Sequence, residues 1–473
     1  MTPPLPALRD FSDRLSPMVV KEMRQGLRTR FFTAALILFH VVLGCLMLSF
    51  LGALNQDEYT HEMFWLVIIF TLLGVLPSRA FNALNTEVKD GTLDMLMLTG
   101  ITSFRIVWGK WVSLYSQTLL VASSLLPYMI VRYQFGGVEI AREVLALAVL
   151  VVGSGLVTAA LIGFSSQRLM FVRLLMSATV GAGAFFMGVF AHVLSCEDYG
   201  GQEIMQDLVS AGEVAATLLI LGITVLAAYL SYLFLCLGSA RLALVRDSQT
   251  IIKRVLAFLM LLFITGLAVV LGSMGYGQWV IVAVAYMPAM LLVLLVTMDL
   301  ATEELPVMAG SSRTWLLQPG WAAGVGTACL LWVVPFLILF VYEWLTPTHS
   351  TRWDEEPWFI TLGLMAASVV PVCLPIFHRH SRLTQWWAIQ ILMLTAAVLL
   401  VVAMEVMTYG DREGWGFLGL LFPVSSMFGA EAAPGSEEDT IRALGFFTHA
   451  AWIIAALVLA SKERRRQLSQ THA

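Results

Sequence analysis

The chain has 473 residues, of which 59% are apolar and only 13% charged, with a mean hydropathy of +0.82 and a net charge of −4. A soluble domain needs about 25% charged residues to clothe its surface, so a soluble globular protein is excluded and lipid is the solvent for most of the chain. The net charge gives no footprint for nucleic acid, because the basic residues are sorted by side of a membrane rather than gathered into one patch.

Residues 1–31 read as a cytoplasmic arm carrying an amphipathic helix, "SPMVVKEMRQGLRTRFF". Ser16 suits an N-cap and Pro17 the first helical position. Val19, Met23, Leu27 and Phe31 recur at steps of four on one face, while Lys21, Arg24, Gln25 and Arg28 occupy the other. Such a basic amphipathic helix lies in the headgroup region of a membrane. No cleavable signal is expected, because the first apolar run is a full span rather than a short signal core.

Apolar runs of about 20 residues, enough to cross roughly 30 Å of hydrocarbon, follow at 32–54, 63–81, 111–131, 144–165, 174–195 and 214–240. Six more lie at 255–275, 278–298, 321–342, 358–377, 383–404 and 443–461. The expected fold is therefore an all-α polytopic membrane protein with about twelve spans. With the N-terminus inside, 23 of the 28 Lys and Arg residues fall on the cytoplasmic side and 5 (Arg132, Arg142, Arg352, Arg412 and Arg442) on the other. That bias predicts both termini to be cytoplasmic. Glycines 153, 155, 163, 181 and 183 are expected to permit close helix approach.

Between the second and third spans lies "EVKDGTLDMLMLTGITSFRIVWGK", residues 87–110. Thr92 can cap a helix starting at Leu93, Asp94 suits its first turn, and Gly100 offers a left-handed stop. Leu93, Met95, Leu96, Met97 and Leu98 cover nearly every face of this two-turn helix. An apolar face in a cytoplasmic loop calls for a partner to cover it.

Other chemistry is sparse. His40 and His449 lie inside spans as candidate intramembrane polar residues, with interhelical hydrogen bonds the expected role. His378 and His380 lack companions for a metal site, so no metal is expected. The five cysteines form no disulfide framework. No phosphate-binding GxxxxGK[ST] loop exists: before Gly109–Lys110, Phe104 stands where the first glycine belongs, and Trp111 follows. The chain is thus expected to be neither an ATPase nor another enzyme, and to hold no cofactor. The alternative is an integral-membrane enzyme or lipid-handling protein with its site on the outer stretch 409–442, around Asp411, Glu413 and Glu431.

The pattern "TE…DGTLD.L.LTG…IVWGK" resembles the loop joining the second and third spans in permease subunits of ABC-2 type ABC transporters, and the arm helix resembles that family's interfacial helix. The resemblance covers about residues 16–245. It implies a six-span permease unit over 32–245, with 246–473 an added six-span region and basic tail. It also implies export driven by a separate cytoplasmic ATPase subunit that holds ATP and Mg and docks on the coupling helix of the 87–110 loop. The implied docking residues are Glu87, Gly91, Thr92, Leu93, Asp94, Leu96, Met97 and Thr99, with Glu87 an anchor pairing Lys110 or Arg28. The interfacial residues are Val19, Lys21, Met23, Arg24, Leu27 and Arg28. The corresponding second-half loop, "DLATEELPVMAGSSRTWLLQPG", has Pro306, Gly310 and Pro319 where a helix would be needed. One docking element per chain implies two permease chains, identical or related, paired through residues 32–240 in a bacterial plasma membrane.

Overall fold

A computed structural model describes residues 17–52, 58–85, 101–135, 139–166, 170–195, 212–240, 250–273, 321–345, 356–373 and 435–471, with a few positions between 389 and 399. Among these only helices occur, with no strand. The chain divides into two compact units, Met1–Ala243 and Leu244–Ala473.

In the first unit α1 (Pro17–Leu27) precedes α2 (Arg30–Gly52) and α3 (Glu58–Ile69). Then come α4 (Ser103–Phe135), α5 (Ile140–Ser165), α6 (Met170–Ser195) and α7 (Gly212–Ala240). The second unit holds α8 (Thr250–Ser273), α9 (Trp321–Leu345), α10 (Glu356–Cys373) and α11 (Gly435–Thr471). Among the described residues seven helices are long and apolar enough to cross a membrane, six in the first unit and Arg442–Arg466 in the second. The protein is a multi-pass membrane protein. The expected spans 278–298 and most of 383–404 lie outside the described residues.

In lipid, apolar side chains gain little by leaving their solvent, so helices associate through close packing and interhelical hydrogen bonds. α5 is the helix around which the first unit is built: 67% of its span is buried, against 22% for the spans of α2 and α6. It packs on α4, α6 and α7. Glycine sets the tightest contact. A Cβ on Gly163 would fall 2.5 Å from the Phe234 carbonyl oxygen of α7, so the two backbones touch. Gly153 and Gly155 are also filled against, by Met187 and Tyr115. Gly181 and Gly183 differ from expectation: nothing lies within 4 Å of the Cβ either would carry. They sit on an exposed face of α6, away from the contacts among the described residues.

The second span is not one uniform helix. After α3 it widens to a π-helix at Phe70–Val75, returns to an α-turn at Leu76–Ser78, and tightens to 3₁₀ at Arg79–Asn82. Pro77 explains the break, since it cannot donate to the carbonyl four residues back and its ring crowds that carbonyl. Ser154 of α5 donates to the Leu72 carbonyl at 2.7 Å, supplying a partner inside the altered turn.

Two boundaries depart from the sequence reading. α1 ends at Leu27 and α2 begins at Arg30, so Phe31 belongs to the first span and not to the amphipathic helix. α11 begins at Gly435, inside the stretch expected as an outer loop to 442, and continues through the basic tail to Thr471.

Candidate functional site

The elements that flank the 86–100 loop meet α1 in one polar junction. The packed face of α4 follows from spacing: Ile106, Lys110, Ser113 and Gln117 recur every three or four residues and are all buried. α1 lies on that face. Its inward stripe is Val19, half-buried Glu22 and Met23, and Gly26. Gly26 permits the close approach there: a Cβ would lie 2.3 Å from Gln117 Nε2, so that side chain would have to shift.

Two cations tie the junction together. Lys110 Nζ lies 3.6 Å from Glu22 Oε2, so a basic residue of α4 is paired to α1. Arg79, in the 3₁₀ turn of the second span, donates to Gln117 Oε1 of α4. Its Nη2 also reaches Thr29 Oγ1 at 3.2 Å and the Gly26 carbonyl at 3.5 Å. Thr29 Oγ1 donates to the same Gly26 carbonyl at 2.7 Å, closing the elbow between α1 and α2. One guanidinium fork therefore holds three chain segments, and charge-assisted bonds of this kind are about twice as strong as neutral ones.

The loop's two ends are fixed on either side of this junction. Leu84 N–H donates to Ser165 Oγ of α5 at 3.2 Å, and α4 opens at buried Ser103 with Ile106 N–H bonded to the Thr102 carbonyl. Along α4, Phe104, Trp108, Trp111 and Tyr115 form a ladder of rings, with centroids 6.2, 4.9 and 5.1 Å apart. Trp111 Nε1 donates to the Gly155 carbonyl at 2.9 Å, which secures α4 to α5.

Of the residues singled out in the sequence, Val19 is buried and Met23 half-buried, while Lys21, Arg24 and Arg28 are exposed. Leu27 is 39% exposed, and the side of α1 packed on α4 runs through Gly26. Glu87, Gly91, Thr92, Leu93, Asp94, Leu96, Met97 and Thr99 lie outside the described residues. His40 bonds through Nδ1 to the Tyr128 hydroxyl at 3.1 Å, joining α2 to α4. His449 is buried in α11. Cys45, Cys236, Cys329 and Cys373 are free thiols. Among the described residues no three His, Cys, Asp or Glu side chains gather as a metal-binding group.

A second polar cluster, at the opposite end of the bundle, went unread in the sequence. Arg132, near the end of α4, pairs with Glu143 in the first turn of α5 at 2.6 Å, with side chains 3% and 1% exposed. Arg132 Nη2 also donates to His61 Nδ1 of α3 at 2.6 Å, and its guanidinium lies 4.2 Å from the Phe64 ring centre. Beside it Arg142 pairs with Glu139 at 2.8 Å. Three helices are closed at this end by interlocked charges.

No family model, curated protein or solved structure matches the chain. The functional reading rests on the residues.

Proposed function

We propose that the chain is the membrane-spanning subunit of an ATP-driven exporter of the ABC-2 type, powered by a separate ATPase docked on the 87–110 loop. In this reading the membrane is a bacterial plasma membrane, crossed about twelve times with both termini cytoplasmic. One observation carries the proposal. The two spans that enter and leave the loop are clamped to each other and to the interfacial helix by Arg79 and Lys110, directly beside the loop's ends. A force applied to the loop would move the second span, the third span and α1 as one body. That is the mechanical property a docking loop needs.

The chain's own residues then divide the work. Leu93, Leu96 and Met97 form the apolar contact with the ATPase, Asp94 and Thr99 its polar rim, and Glu87 an anchor beside the junction. Lys110 is paired with Glu22, so an anchoring partner for Glu87 would compete with or extend that pair. ATP and Mg belong to the partner subunit. Two such chains pair through residues 32–240, with residues 246–473 an added six-span region. A path without charged residues at mid-membrane favours a lipid-like or amphipathic cargo.

The test is affinity purification from native membranes. A nucleotide-hydrolysing subunit should co-purify with the chain, and Leu96→Asp combined with Met97→Asp should release it. A doubly charged variant that keeps both its partner and its stimulated ATPase activity refutes the docking assignment.

A further inference from the structure

Arg173 is a cation that neither polar cluster uses. It is 6% exposed, and its Nε and Nη1 are enclosed with no hydrogen-bond partner among the described residues. Phe81 of the second span faces it, with a ring centre 4.8 Å from the guanidinium carbon. A ring face compensates a buried cation only in part. A buried charge left without an opposite charge is strongly unfavourable.

Its position sharpens the problem. Arg173 is the fourth residue of α6, a 26-residue helix with no acidic residue in its first turn. The N-terminus of a helix is already its positive pole, so a cation there opposes the dipole. Nor can the neighbouring helices neutralise it. α6 has no carboxylate, α5 has none after Glu143, and the second span has none between Glu62 and Asn85. Positive charge from two sources, the helix pole and the guanidinium, converges where the packed helices offer no anion.

We propose that this end of α6 holds the phosphate of an anionic membrane phospholipid, gripped by Arg173 and the first-turn amides of the helix. Helix side chains lean toward the N-terminus, which directs the guanidinium to the same end as the free amides. A guanidinium fork and a helix N-terminus both suit phosphate oxygens. The level is right for a headgroup: Arg173 opens the apolar stretch Arg173–Val193, and Phe81 lies near the end of the stretch His61–Asn85. Basic sites between helices at the membrane edge are where lipid headgroups are recognised. Met170, Phe171 and Leu174, 69%, 74% and 57% exposed, flank Arg173 and offer apolar surface to the attached chains.

The experiment uses the full-length chain in detergent, titrated with phosphatidylglycerol, phosphatidylcholine or inorganic phosphate, and read by native mass spectrometry and thermal melting. The wild-type chain should retain one phosphatidylglycerol in preference to phosphatidylcholine and be stabilised by it. Arg173→Gln should lower that retention about tenfold, whereas Arg173→Lys, which keeps the charge without the fork, should retain an intermediate amount. The wild-type comparison of the two lipids stands even if a variant fails to fold: equal retention and equal stabilisation overturns the proposal. So does undiminished phosphatidylglycerol retention by Arg173→Gln. Stabilisation by inorganic phosphate equal to that by phosphatidylglycerol overturns the lipid assignment in favour of a free anion.

Discussion

Replacing Glu143 with Leu would remove the carboxylate paired with Arg132 in a site where the arginine side chain is 3% exposed. The His61 nitrogen and the Phe64 ring remain as neighbours, but neither carries a formal negative charge. Breaking a buried pair by removing one partner costs about 3–5 kcal/mol, most of it the uncompensated charge that stays behind. Removing both charges is different. Arg132→Met with Glu143→Leu replaces the pair by apolar groups, which is often neutral or stabilising by about 1–4 kcal/mol. The double-mutant cycle should therefore show the second substitution rescuing the first, with a coupling energy at the upper end of the usual range of about 0.5–3 kcal/mol. Thermal or denaturant unfolding of the detergent-purified chain measures it. A single Glu143→Leu variant as stable as the parent, or a double variant whose losses simply add, would refute the claim that this end of the bundle is held by a desolvated charge pair.

Three further outcomes follow from specific contacts. Gly163→Ala would drive a methyl into the Phe234 carbonyl and should destabilise the chain by about 1–3 kcal/mol, whereas Gly44→Ala, with nothing within 4 Å, should have little effect in the same melt. Arg79→Met removes the fork joining α1, the second span and α4, so maleimide labelling of Val19→Cys, at a position only 6% exposed, should rise several-fold; unchanged protection would show that the fork does not hold α1. Cysteines placed at residues 55–62, 196–213 and 343–357 should label from outside the cell and those at 241–254 and 462–473 only from inside, and outside labelling of Ser248→Cys would reverse the orientation.

The apolar helices of the first unit were legible because hydrophobic length reports directly on the membrane. The start of α4 at Ser103, beside Thr102, suits the cap chemistry of those residues. The break in the second span had a visible signal in Pro77, but hydropathy sums apolarity and does not sense winding. Arg132 and Glu143 read as loop charges for a related reason. Each alone is expensive in a helix end facing lipid, and only their pairing across the α4–α5 turn lets both helices extend over them. On α1 a periodic pattern of large side chains cannot reveal that Gly26 lies against α4. The proposed docking segment is read from its sequence alone, while the junction beside it shows only in the packing of α1, the second span and α4.

The most direct measurement is the mass of the intact complex. Native mass spectrometry of the assembly released gently from its own membrane should show two chains of this kind, or one with a related permease, bound to two ATPase subunits. One chain carrying two ATPases would contradict the predicted pairing, and an assembly with no nucleotide-hydrolysing subunit would contradict the exporter reading itself.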